Sequence, residues 1–288
     1  MDVVIYGLIN SSTLLLMSIG FALAYGVTRL PNFAHGALYI LAGYLSWAFI
    51  SKLGMNFAVS TSISIILTAI IGGLIYQFVL IRVRGMPASE IIASLAIGMA
   101  MLEFLRWAGL KGPTFVVPVL VKGMAYIFRV PVDLQRIIIV GAGLALVLVL
   151  WLFTHHTKVG LSLKAVAQDE RAALMLGVDS NWTATVGLAL GSALVSIAAI
   201  LIIPLSQIEV TAGYDVLLNA LAVCICGGLG SWVGAAIAAF VIGYAQTITV
   251  YLFAPQFSLL VALLAIVLIL ILKPSGLFGK QKELEERV

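Results

Sequence analysis

The chain has 288 residues, 62% hydrophobic and only 10% charged, with a mean hydropathy of +1.17; soluble domains carry about a quarter charged residues, so a water-soluble protein is excluded. The net charge of +4 comes from sixteen Lys and Arg against twelve Asp and Glu. The basic residues are scattered between apolar runs, which excludes a nucleic-acid surface and makes them topology determinants facing lipid headgroups.

Apolar runs of spanning length fall near residues 4–28, 33–51, 57–81, 88–110, 136–154, 183–204, 215–231, 233–252 and 257–272. A span takes about 20 apolar residues, and the runs are continuous rather than alternating, so they predict an all-α, polytopic membrane protein of about eight to ten helices, nine as the working count, in one transmembrane domain over 1–288. Asp2 and the lack of a basic n-region make the first run a retained helix rather than a signal peptide. Glycine-rich NFAHG at 32–36 and CGGLGSWVG at 226–234 sit at the starts of spans and permit broken helices or close approach. FAHGALYILAGY at 33–44 and WVGAAIAAFVIGY at 232–244 share a small-residue rhythm, an internal repeat being one reading and ordinary membrane-helix composition the other.

Threading nine spans places Arg29, Arg82, Arg84, Lys158, Lys164, Arg171, Lys273, Lys280, Lys282 and Arg287 on one side. The positive-inside bias makes that side cytoplasmic, with the N-terminus outside and the C-terminus inside. Residues 112–135, with Pro113, Pro118 and Pro131, are expected to run over the outer surface with a short interfacial helix. Residues 273–288 form a charged cytoplasmic tail.

The segment 155–182 is a long cytoplasmic connection that is not itself a span. From Ser162 as N-cap to Gly177 as stop, a helix of about 14 residues, roughly 21 Å, is predicted. Leu163, Val166, Ala167, Ala173, Leu174 and Leu176 form its apolar side, and Lys164, Gln168, Asp169 and Arg171 its polar one. Such a helix either docks into a groove of another protein or lies on the membrane surface.

The pattern Gly160, Ala165, Asp169, Ala172, Ala173, Leu176, Gly177, Val178, with Gln168 inside it, resembles the coupling loop of ABC importer permeases, specifically the high-affinity branched-chain amino-acid permease family. YGVTRLPNFAHGALYILAGY at 25–44, GGLGSWVGAAIAAFVIG at 227–243 and LKPSGLFG at 272–279 resemble other blocks of that family. The resemblance implies an inner-membrane permease subunit of bacterial type that is not itself an enzyme. Its partners would be two ATPase subunits that bind ATP and Mg, a second permease subunit, a homologous one favoured over a second copy, and an extracytoplasmic solute-binding protein. It implies a translocation path near Asn32, Phe33, His35, Gly36, Gly227, Gly228, Gly230 and Gly234, no cofactor or metal in this chain, and branched-chain or neutral amino acids as the default solute. The residues agree on the engine: no G-x-x-x-x-G-K-[ST] occurs, because Gly279-Lys280 is followed by Gln281 and GGLGS has no Lys.

Polar groups within spans each have two readings. Asn32 and His35 line a path or cap a broken helix. Glu103 and Arg106 form an i,i+3 pair or meet solute. Glu90 favours the dipole of its helix start. Gln77, Asn219 and Gln246 bond across helices or touch solute, and Glu209 and Asp215 face a docking protein or plain solvent. Cys224 and Cys226 point about 200° apart on a helix and serve packing. The rival function is a self-contained secondary transporter using Glu90, Glu103 or His35. A membrane enzyme is disfavoured by the absence of H-E-x-x-H, G-x-S-x-G and any acidic metal cluster.

Overall fold

A computed structural model describes residues 1–110, 117–206 and 208–279. The chain is helical almost throughout: α1 (Asp2–Thr28), α2 (His35–Ser51), α3 (Phe57–Ile75), a π-helical turn (Tyr76–Leu80), α4 (Ile81–Val83), α5 (Pro87–Trp107), a β1–β2 hairpin (Met124–Ile127, Val130–Asp133), α6 (Leu134–His156), α7 (Lys158–Gln168), α8 (Glu170–Met175), α9 (Ser180–Ile202), α10 (Ala212–Gly227), α11 (Trp232–Leu252) and α12 (Ser258–Leu272). The helix starts are marked in the sequence. Asn56, Thr157, Asp179 and Ser231 each accept a backbone N–H of the turn that follows, satisfying donors that a helix start leaves open.

All nine apolar runs appear as helices, but two are short. Seven described helices are long and apolar enough to cross a membrane, whereas α2 has 17 residues and α10 has 16. Their shortness has a cause in their position. His35, the first residue of α2, donates from Nε2 to the carbonyl of Met17 at 2.9 Å, and Met17 lies about 16 Å short of the end of α1 at 1.5 Å per residue. Gly98, midway along α5, packs against Phe33 and Ala34. The chain therefore turns back into the bundle after α1, and α2 begins in its interior. Gly213, at the start of α10, meets Gly36 at the start of α2, so α10 also begins in the interior, reached from the opposite end.

These two short helices belong to an inverted repeat. α1 packs on α9, α10 and α11, while α9 packs on α1, α2 and α3; α10 packs on α11 and α12, while α2 packs on α3 and α5. Exchanging α1 with α9, α2 with α10, α3 with α11 and α5 with α12 maps α1 on α11 to α9 on α3, α1 on α10 to α9 on α2, and α2 on α3 and α5 to α10 on α11 and α12, and counterparts five spans apart in the chain run in opposite directions. Glycines mark the axis. A Cβ on Gly20 would stand 2.4 Å from the Gly191 carbonyl oxygen and one on Gly191 2.6 Å from that of Gly20; Gly36 and Gly213 repeat the reciprocity at 1.9 and 3.1 Å. Mutual contact between counterparts is what a two-fold demands of residues beside it. The small-residue rhythm paired the wrong helices, because α2 corresponds to α10 and not to α11.

Residues 124–133 form a hairpin rather than the expected interfacial helix. Met124 pairs with Asp133 and Ile127 with Val130, and the connecting Phe128 and Arg129 both have positive φ, 47° and 69°, the backbone that a two-residue turn needs to follow strand twist. Val130 and Val132 bury against Ile9, and Tyr6 donates to the Pro131 carbonyl at 3.1 Å. Large apolar side chains such as Ile66 and Ile70 of α3, Leu144 and Leu148 of α6 and Val267 and Ile271 of α12 stay exposed. A soluble monomer does not show so much apolar surface, and on a membrane-crossing bundle such a side is suited to lipid.

Candidate functional site

The connection between α6 and α9 stands at one end of the bundle, with Arg29 at the end of α1 and the turns at 84–86 and 228–231. It contains two helices, not one. α7 starts at Lys158, because Thr157 accepts from Gly160 N–H at 2.9 Å; Ser162, the expected N-cap, lies within α7 and bonds back to Lys158 O. The expected helix is interrupted at Asp169, whose backbone is extended and whose carboxylate accepts from Ala172 N–H at 3.0 Å, ending α7 and capping α8. A short carboxylate competes in this way with the helix it interrupts.

This break redistributes the apolar side. Leu163, Val166 and Ala173 are buried, whereas Leu174, Met175 and Leu176 are exposed, the last two by 88% and 82%. They form an apolar tip at the end of α8, closed by Gly177 with φ +81°. Of the other sequence-predicted residues, Gly160 is buried at the α6–α7 corner, where a Cβ would stand 2.1 Å from the Phe153 carbonyl oxygen. Ala165 and Val178 are half-buried, and Gln168, Asp169 and Ala172 are exposed.

Beneath the tip lies a polar cluster that the sequence reading missed. Arg84 donates to Glu170 Oε1 at 2.5 Å, to Ser180 Oγ at 3.3 Å and to Asn181 Oδ1 at 2.8 Å, and Ser180 donates to the same carboxylate. Burial alone pushes the Glu170 carboxyl up, but the Ser180 hydrogen bond and the Arg84 guanidinium, with a smaller share from Arg29, hold it below the ordinary carboxylate range. Nothing local in the sequence pairs residue 84 with 170.

A cleft of about 810 Å³ opens at the same end, between Gly26 and Arg29 of the α1 terminus, Leu163 and Lys164 of α7, and the Gly230–Trp232 turn. Gly230 (φ +87°) lines it. Gly227 and Gly234 pack backbone to backbone, each with no room for a Cβ, and Gly228 (φ +104°) lies against Gly276 and Gly279. The LKPSGLFG ending is thus part of this construction: Leu277 and Phe278 donate to the carbonyls of Cys226 and Gly227 at 2.9 and 3.0 Å. Residues 280–288 of the expected tail lie outside the described residues.

Inside the bundle, Asn32 caps the approach to α2 by accepting from Ala34 N–H. His35 is 2% exposed, bonded to Met17 and edge-on to Phe21; a carbonyl only accepts, so its Nε2 carries the proton. Phe33 is half-buried and Gly36 buried. Glu90 accepts from Gly85 N–H, and Glu103 pairs with Arg106 at 2.5 Å. Gln246 and Asn219 bond each other at 2.9 Å, and Asn10, not singled out from sequence, donates to Gln246 at 3.2 Å. Gln77 accepts from Thr185. Both cysteines are free and buried, and no group of three or more His, Cys, Asp or Glu placed to hold a metal occurs among the described residues.

A polytopic helical bundle with interior helix starts, an inverted repeat and a protruding, capped two-helix loop has the architecture of a membrane permease unit. Residues 3–272 match the family described as the permease component of branched-chain amino acid transport systems, and the chain belongs to that family. Relatives include the high-affinity branched-chain amino acid transport system permease protein BraD of Pseudomonas aeruginosa, 27% identical with 95% of this chain and 94% of that one covered. LivH of Salmonella typhimurium is 25% identical over 95% and 94%, and the probable branched-chain permease LivH of Methanocaldococcus jannaschii is 25% identical over 94% and 90%. Among solved structures, a chain of PsaBC from Streptococcus pneumoniae in complex with Fab shares the fold, with a TM-score of 0.52 and 16% identity, covering 100% of this chain and 96% of that one.

Proposed function

We propose that the chain is the membrane-spanning subunit of an ATP-driven importer, translocating branched-chain or other neutral amino acids in a bilayer that it crosses with its N-terminus outside and its C-terminus in the cytoplasm. The observation that carries this is the loop at 155–182. Three large apolar side chains, Leu174, Met175 and Leu176, are held out from the bundle on a base fixed by Thr157, Asp169, Asp179 and Arg84. An apolar knob on a rigid polar stem is suited to a groove of a soluble partner rather than to solvent.

That partner is an ATPase subunit, which binds the ATP and Mg that this chain has no motif for. Two such subunits serve a pair of permeases, a homologous second chain being favoured over a second copy, and an extracytoplasmic binding protein delivers the solute. The interior start of α2 supports a path that passes Asn32, Phe33, His35 and Gly36, and the close glycine packing at the α10–α11 turn supports Gly227, Gly228, Gly230 and Gly234 as its cytoplasmic mouth. The positive charges of Arg29, Arg82, Arg84, Lys158, Lys164, Arg171 and Lys273 at the loop end support the orientation.

The test is affinity purification of the tagged chain from its host in mild detergent, beside Met175→Asp and Leu176→Asp. Both positions are exposed, so the variants keep the fold. An ATPase with a phosphate-binding loop is expected with the wild type and is expected to be lost from both variants. Retention of the ATPase by both, or its absence from a monodisperse wild type that moves solute alone in liposomes, refutes the reading.

A further inference from the structure

We infer that the Arg84–Glu170–Ser180–Asn181 cluster is a mechanical latch that delivers motion of the 155–182 loop to α3 and α5, with Arg84 as its positioning residue. The inference rests on the coupling function proposed above for that loop.

The cluster closes the base of the tip. Glu170 opens α8 and Ser180 and Asn181 open α9, so the three acceptors stand on either side of the apolar knob at 174–176. One guanidinium from a distant hairpin reaches all three, at 2.5, 3.3 and 2.8 Å. Arginine suits this task because its donors form a rigid fork and its charge is permanent. α8 itself packs on α7 and α9, and Arg84 gives its first residue a direct polar tie to the α3–α5 hairpin.

The hairpin side of the latch is stiff at one point and yielding at another. Arg84 ends α4 with an extended backbone. The next residue, Gly85, has φ +88°, and its N–H is held by the Glu90 carboxylate, only 6% exposed, at 2.5 Å. A pull on Arg84 therefore reaches the start of α5 through a fixed turn. Immediately before α4, the helix is wound as a π turn over Tyr76–Leu80, a rare winding that interrupts the regular α-helical ladder and is frequent at functional sites. Tyr76 in that turn is fully buried, and its hydroxyl has no hydrogen-bond partner. A wide helical turn with an unused buried donor, next to a triple-bonded arginine, is a place where α3 bends when the loop moves.

The experiment reconstitutes the full complex, this chain with its ATPases, second permease and binding protein, in proteoliposomes, and reads leucine uptake and ATP hydrolysis together. Arg84→Ala is expected to lower uptake per ATP by about fivefold or more, the ratio being taken against the hydrolysis measured in the same vesicles. Glu170→Gln is expected to act in the same direction more weakly. The double exchange Arg84→Glu with Glu170→Arg is expected to restore the ratio to within about twofold. If Arg84→Ala does not assemble, Arg84→Lys, which keeps the charge without the fork, is read by the same ratio. Wild-type uptake per ATP in Arg84→Ala, or in Arg84→Lys and Glu170→Gln together where the first does not assemble, overturns the latch. So does hydrolysis falling in step with uptake and not being rescued by the exchange. A wild-type complex with no ATP-driven leucine uptake is a distinct result, and it counts against the permease reading or its default solute before any variant is made.

Discussion

The reciprocal glycines make a sharp prediction at Gly36. A methyl group there would stand 1.9 Å from the Gly213 carbonyl oxygen, 2.8 Å from its carbon and 3.2 Å from Leu217 Cβ. An ordinary contact is about 3.4 Å, so α2 and α10 must part by about 1.5 Å, and the obstruction is backbone in a helix start packed on both sides, with no flexible side chain to swing away. Gly36→Ala is therefore expected at the upper end of overpacking costs, about 3 kcal/mol. At roughly 2 °C per kcal/mol for a chain of this size, that is a fall of about 6 °C in apparent Tm. Gly141→Ala is the control, because Gly141 lies in α6 with nothing within 4 Å of the added carbon. Removing a helical glycine there gains up to about 1 kcal/mol. Intrinsic tryptophan fluorescence of the purified chain in one detergent, scanned at one rate, measures both. If the two variants melt together at or above the wild type, the close approach of the two interior helix starts is wrong.

Gly160→Ala is expected to cost about 2–3 kcal/mol and to weaken ATPase recovery as well, since its methyl group would collide with the Phe153 carbonyl and displace the loop corner. Gln246→Leu removes a partner from both Asn10 and Asn219, and a loss of about 1–3 kcal/mol is expected in the same melting assay. Glu170 makes the stability depend on pH with a fixed sign. Its folded pKa is lowered, so its contribution is fully present above the unfolded value of about 4.3 and is lost as pH falls through the folded value. The Tm gap between wild type and Glu170→Gln is therefore expected to be constant near neutrality and to close below the ordinary carboxylate range; a gap that widens on acidification contradicts the cluster.

The spans were legible because a bilayer demands about 20 apolar residues in a row, and composition reports that directly. The loop was legible as a polar interval of unusual length between two such runs. What was lost lay in relationships between distant residues. Leu163 and Leu176 share a face only if one helix joins them, and Asp169 decides otherwise through a hydrogen bond three residues ahead. Residues 33–44 and 232–244 look alike because both need small side chains, whereas the true counterparts, α2 and α10, share little beyond a glycine at the start. Symmetry of packing leaves no imprint when each half is tuned to different neighbours. The hairpin at 124–133 was hidden because strand alternation over four residues is a weak signal beside three prolines. Arg84 read as a topology charge, since nothing local distinguishes a cation at a membrane surface from one tied to Glu170.

The attachment of Leu277 and Phe278 to Cys226 and Gly227 bears on how the protein is made. A helix leaves its last carbonyls without donors, and at the loop end of α10 two of them are supplied by residues synthesised about fifty positions later. Until those residues emerge, the α10–α11 turn is inserted but open, with its glycines unclosed. A product that stops after Leu272 would hold every described apolar helix and still lack the clasp, leaving two carbonyls of the α10–α11 turn without their donors.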